Sequence, residues 1–242
     1  MKFSFVRPAV LVFALFLIIL AGPASAASII KMDGKFDDWA GQAHVTDPAG
    51  DGGSSGDIRT FYWATNAGES NLFFMVDRAF PGYRPVNATY RQNFDINNNG
   101  SYTDTVDRYA VITYTPTKSK GYVLVRVYRT NGTLIASYGG NWGQGTNKGQ
   151  QLCEYYVTMA DLGIDPGQTI RMYLTSQATP PDRCPDTGDI QWSPVPAMGR
   201  AGLAALIILG AALIIFALKK KGGRPGLADS RRSLLGRRPG VF

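Results

Sequence analysis

The densest run of oxygen donors in this 242-residue chain is Asp95-Ile96-Asn97-Asn98-Asn99-Gly100-Ser101-Tyr102-Thr103-Asp104. Side-chain oxygens at the first, third and fifth positions, glycine at the sixth and later carboxylates are what a calcium shell of six to eight oxygens asks of a short loop. Asp95, Asn97, Asn99, Ser101, Asp104 and Asp107 are therefore candidate metal ligands. The twelfth position is Val106 and not the bidentate Glu of an EF-hand, so Asp104 or Asp107 would have to close the shell. Asn, Asp and Gly are also the residues of tight turns, and a metal-free Asn-rich hairpin is the competing reading.

A second acidic group runs through Asp33, Asp37, Asp38, Asp47, Asp51 and Asp57. Asp47, Asp51 and Asp57 are spaced along a Gly/Ser-rich loop that either folds around an ion or stays solvated. Asp186 and Asp189 would close the same site if the two ends of the domain meet.

Stacking chemistry points to Trp142. It lies in Tyr138-Gly139-Gly140-Asn141-Trp142-Gly143-Gln144-Gly145-Thr146-Asn147, too polar and glycine-rich for a core segment. A tryptophan flanked by Asn141, Gln144 and Asn147 could lie flat on a sugar ring, or fill a local apolar gap. Trp39 and Trp63 are expected in the core. Catalysis has little to work with: the only histidine is His44, and no serine or cysteine sits in the setting of an activated nucleophile.

The elements that must position these residues read as short strands. In 121–129, Val123, Val125 and Val127 share one face, with Tyr122, Leu124, Arg126 and Tyr128 on the other. Similar alternation marks 58–64, 71–76, 108–115, 133–138, 152–158 and 168–176, mostly separated by turn residues such as Asn131-Gly132 and Asp165-Pro166-Gly167. The one helical turn expected is 159–162, with Thr158 as its N-cap. An all-β fold follows, an antiparallel β-sandwich over 27–178. Cys153 and Cys184 are the only cysteines, and in an oxidising compartment they are expected to form a disulfide.

The ends imply where that domain sits. Residues 1–26 carry Lys2 and Arg7, then an apolar stretch, then Ala24-Ser25-Ala26, the pattern of a cleavable secretory signal peptide. A Pro-rich stem is expected over 179–197 and a single transmembrane helix over 198–218. The uncharged part from Ala201 to Leu218 is long enough to span roughly 27 Å of hydrocarbon. The basic tail 219–242 opens with Lys219-Lys220-Lys221, which places it in the cytoplasm and the domain on the extracytoplasmic side of the cell membrane. Eight of the 25 Lys and Arg lie in this tail, two in the leader and one at Arg200, leaving 14 against 17 acids in the outer domain. That mildly acidic domain gives no reason to expect a nucleic-acid partner; the tail suits anionic lipid.

Asp33-Gly34-Lys35-Phe36-Asp37-Asp38-Trp39 resembles the opening of the family 9 carbohydrate-binding module and its DOMON-like relatives. Asp47-Pro48-Ala49-Gly50-Asp51, Asp57-Ile58-Arg59, Asn71 to Asp77, Glu154-Tyr155-Tyr156-Val157 and Asp161-Leu162-Gly163-Ile164 follow in the family's order. The resemblance implies a jelly-roll-like sandwich, structural calcium and, in some members, sugar bound between paired tryptophans, an arrangement that cannot be matched here residue by residue. The expectation is a non-catalytic binding module whose partner is a glycan or another cell-envelope component. The alternatives are a structural or protein-interaction module and, less favoured, a haem-binding electron-transfer domain using His44 with Met75, Met159 or Met172.

Overall fold

The computed structural model describes residues 28–194. The expected signal peptide, the last stem residues, the transmembrane helix and the tail lie outside the described residues. No helix among those described is long and apolar enough to cross a membrane.

The domain is all-β. Its strands are β1 (Ala43–Thr46), β2 (Ile58–Thr65), β3 (Asn71–Arg78), β4 (Ala88–Asp95), β5 (Arg108–Pro116), β6 (Lys120–Arg129), β7 (Leu134–Gln144), β8 (Leu152–Thr158), β9 (Ile170–Ser176), β10 (Arg183–Cys184) and β11 (Ile190–Trp192). They form one antiparallel sheet in the order β1-β2-β3-β8-β7-β6-β5-β4-β9-β10, with β11 also on β9. β7 and β8 pair only at Gly143 and Cys153, so the sheet folds there into two leaves, and β10 returns to lie against β2. The result is a nearly closed sandwich.

Period-2 alternation decides which face each strand buries. Val123, Val125 and Val127 are fully buried and meet Phe74, Val76, Tyr155 and Val157 of the other leaf in one core. Each such valine contributes roughly 1.5–2 kcal/mol of apolar burial. A smaller cluster lies on the outer side of β3, where Phe73 and Met75 are covered by Ile30 and Trp39 of the N-terminal segment. Among the described residues the strand pairings and both clusters form one continuous unit. The helical turn is α1 (Met159–Leu162), and the Thr158 hydroxyl accepts from Asp161 N at 3.0 Å, the expected cap.

Two expectations are corrected. The sandwich does not end at Ala178: β10 and β11 come from the segment expected as a stem, and both pair with β9. Cys153 and Cys184 are free thiols, both buried. The reason lies in the topology, since Cys153 stands on β8 between β3 and β7 whereas Cys184 pairs with Leu174 at the far edge of the other leaf. Burial pushes the Cys153 thiol up to about 12.

Candidate metal centre

The loop 47–57 crosses the end of the sandwich where β2 begins and β3 ends. Its glycines permit a close approach to the segment after β9. A Cβ on Gly52 would stand 2.6 Å from Cβ of Asp182, and one on Gly53 would stand 2.6 Å from the Thr179 carbonyl oxygen. Gly53 N donates to Pro180 O at 2.8 Å, and Ile58 N donates to Asp182 Oδ2 at 2.6 Å. The domain's two ends therefore meet at this loop.

The meeting gathers Asp47, Asp51, Asp182 and Asp186, each with one carboxylate oxygen within 4.8 Å of the others. Asp47 and Asp182 are 9% and 4% exposed, while Asp51 and Asp186 are open to water. Asp47 Oδ2 is covered and meets no N–H or hydroxyl donor; its neighbour is the Asp182 carboxyl, with which it can pair only by sharing a proton or a cation. Burial, then the charges of Asp182, Asp186 and Asp51, raise the Asp47 carboxyl to about 7. Four negative oxygens this close repel one another unless protonated or joined by a cation. Their separation suits a single ion, because opposite ligands of a calcium ion bound at 2.3–2.6 Å stand about 5 Å apart. An all-oxygen set without His or Cys favours a hard cation.

Of the three aspartates expected here, Asp47 and Asp51 take part. Asp57 does not, since both its oxygens accept from Gly50 N, at 3.2 and 3.0 Å, and so brace the loop from behind. Asp189 pairs instead with Arg183 Nη2 at 2.7 Å. Asp186, expected from the segment after 178, does take part, and Asp182 from the same segment joins it although its spacing gave no signal.

The 95–107 loop lies at the opposite end, where Gln168 Nε2 donates to Ile96 O. Its oxygens serve its own backbone. Asp95 accepts from Asn99 N and Gly100 N, and Asp107 accepts from Ile96 N and Asp104 N. Asn99 Oδ1 accepts from Ser101 N, and the Asn97 and Asn99 amides donate to Asp104 Oδ2 at 3.0 and 2.6 Å. Those two amide bonds hold the Asp104 carboxyl below its usual range. The loop thus satisfies itself as a turn. Turning both amides over would aim two more oxygens at Asp104, an arrangement that needs a cation between them.

No family model, curated protein or solved structure matches the chain.

The residues expected around Trp142 are only partly brought together. Trp142 is half-buried, with its ring 5.5 Å from Tyr156, and Tyr138 lies 4.8 Å from Tyr156. These three rings fill the opening where β7 parts from β8. Asn141 and Asn147 are exposed, Asn147 on the 3₁₀ turn Thr146–Lys148. Gln144 is structural, its Oε1 accepting from Gln151 N and Leu152 N. Sequence reasoning missed Tyr138 and Tyr156 as companions of Trp142, since the contact depends on where the sheet divides. His44 is exposed on β1 beside Tyr62 and lines one recess of about 420 Å³ with Met75, whereas Met159 and Met172 belong to the inner core.

Proposed function

We propose that this chain is a non-catalytic binding module of the cell surface. A jelly-roll-like sandwich is secreted by its leader, held to the membrane by the apolar segment over 198–218, and directed at saccharides. A calcium ion shared by Asp47, Asp51, Asp182 and Asp186 ties its two ends together. The observation that carries the reading is the buried Asp47 Oδ2, without an N–H or hydroxyl donor, among three other carboxylates. A fold that buries this oxygen gains stability from a cation that pairs it. The half-exposed rings of Trp142, Tyr138 and Tyr156 support the sugar part, together with the ordered motifs that resemble family 9 modules. A calcium titration of residues 28–194 followed by thermal unfolding is the test, with a glycan array for the ligand. Calcium should raise the melting temperature and chelator should lower it. No shift removes the metal, and an array without binding removes the sugar.

A protein partner is the second reading. Phe80 and Tyr83, 46% and 87% exposed, pack edge to face on the 79–87 loop. Buried Gln150 and Arg78 fix that loop through Gly82 O, Arg84 O and Val86 O. A rigid loop that displays two aromatic rings is suited to a protein surface.

A further inference from the structure

The outer face of β9, β4, β5 and β6 carries a basic, aromatic surface on a domain that is acidic overall. In one row across the strands, Thr175 pairs with Arg91, Arg91 with Val111 and Val111 with Arg126. In the next row, Tyr173 pairs with Asn93, Asn93 with Tyr109 and Tyr109 with Tyr128. Tyr109 and Tyr128 stack at 5.1 Å and 14°. Arg91 and Arg126 are exposed, stand two strand spacings apart, about 10 Å, and neither forms a salt bridge among the described residues.

Arg91 is prepared for an anion. Its guanidinium lies over the Tyr109 ring at 3.8 Å, and its Nε donates to Asn93 Oδ1 at 2.9 Å. Stacking fixes the plane and the Nε bond fixes the rotation, which leaves the paired terminal nitrogens without a protein acceptor among the described residues. That edge is the fork that takes a carboxylate, sulfate or phosphate in two parallel bonds. Arg91 also lines an open recess of about 350 Å³ with Tyr102, Thr103, Thr130 and Asn131. Hydroxyl and amide groups beside a fixed guanidinium suit an oxyanion carried on a hydroxyl-rich ring. A neutral sugar would leave the guanidinium edge unmatched, and a bare ion would leave the recess unfilled.

We propose that this recess is an acidic-saccharide site, in which Arg91 holds an oxyanion of one sugar, Thr103, Thr130 and Asn131 meet its hydroxyls, and Arg126 meets a second charge on the same polymer. The proposal rests on the saccharide reading above and names its ligand class. Because the domain carries more acids than bases, a polyanion has no bulk attraction to it, so binding must come from this local arrangement.

The experiment uses residues 28–194 and oligogalacturonates by titration calorimetry, beside the same oligomers methyl-esterified, inorganic phosphate alone, and vesicles of phosphatidylglycerol. The free acid should bind, more weakly as salt rises, and the ester and phosphate should not. Arg91→Gln and Arg91→Lys should each weaken binding at least tenfold, because lysine keeps the charge and loses the fork. Arg126→Gln should weaken it less, and Lys118→Gln, on the β5–β6 turn, should leave it unchanged. Equal binding of acid and ester, silent Arg91 variants, or Arg91-dependent binding to vesicles alone would overturn the site. If neutral glycans bind through Trp142 while Arg91 is silent, the saccharide function stands and this site falls. If no saccharide binds, both fall.

Discussion

Glu154 Oε2 accepts the indole N–H of Trp39 at 3.0 Å, and both side chains are buried. The other oxygen, Oε1, accepts from Asp33 N at 3.0 Å and Gly34 N at 2.8 Å. One carboxyl on β8 thus fastens the whole Asp33 to Trp39 turn across the outer cluster. Two segments more than a hundred residues apart in sequence are, in the folded domain, the two halves of one contact.

That contact makes stability depend on pH. Burial raises the Glu154 carboxyl from 4.5 to about 7, against the pull of its three N–H donors. The folded state therefore holds this proton more tightly than the unfolded chain. The group's contribution is fully present below pH 4.5 and is lost as pH rises to 7, about 3 kcal/mol in all. Urea unfolding between pH 4.5 and 7.5 should show wild type losing stability with rising pH, and Glu154→Gln should reduce that slope, leaving the share of Asp47, whose carboxyl is also raised to about 7. An unchanged slope in the variant would mean that the carboxyl is not titrating here. Trp39→Phe should cost about 1–3 kcal/mol by leaving Oε2 without its donor.

What the sequence disclosed follows from chemistry that repeats locally. The valines of β6 announce their period, and Thr158 announces its cap. β4 is silent because Ala88-Thr89-Tyr90-Arg91-Gln92-Asn93-Phe94-Asp95 does not alternate cleanly. Gln92 is fully buried, satisfied by Tyr155 OH and Met172 S, and Asn93 is covered beside Arg91. Partners on β8 and β9 make those amides acceptable in the interior, and no local pattern reveals them. The aspartate cluster was partly legible: Asp47 and Asp51 share a loop and Asp186 offered itself from the far end, but Asp182, 131 residues beyond Asp51, carries no local signal. Arg91 reads as an ordinary surface arginine until the register sets it over Tyr109.

The free thiols give a direct chemical test. Burial raises both Cys153 and Cys184 above the usual thiol range, so neither should react with a disulfide-exchange reagent in the native domain at pH 8. Denaturation without reductant should release two titratable thiols, and reductant should leave the melting temperature unchanged. A count of zero would restore the disulfide.

Gln150 is a non-glycine residue in the left-handed region, at φ 46°, and is fully buried. Its side chain explains why the strain is tolerated: Oε1 accepts from Val86 N, while Nε2 donates to Gly82 O and Arg84 O. Gln150→Ala keeps the strained backbone and leaves these groups unpaired, for a cost of about 2–3 kcal/mol. Hydrogen exchange at the Val86 amide should quicken well beyond the global change. If it quickens only in step with the loss of global stability, the loop is held by something else.

Asp47→Asn separates repulsion from metal binding. In chelator at pH 8, above the raised value of about 7 for Asp47, the cluster is ionised without a counter-charge, so removing the Asp47 charge should stabilise the domain by about 1 kcal/mol, roughly 2–4 °C in melting temperature. In excess calcium the sign should reverse. Wild type gains the binding free energy, about 2.7 kcal/mol when the ion stands at a hundred times its dissociation constant, and the variant forfeits most of that gain. Asp95→Asn provides the contrast. Asparagine retains one oxygen for the amides of Asn99 and Gly100, so this change should lower stability slightly with or without calcium if the 95–107 loop is a self-satisfied turn. A calcium response that vanishes in Asp95→Asn and persists in Asp47→Asn would move the metal to the other end of the sandwich.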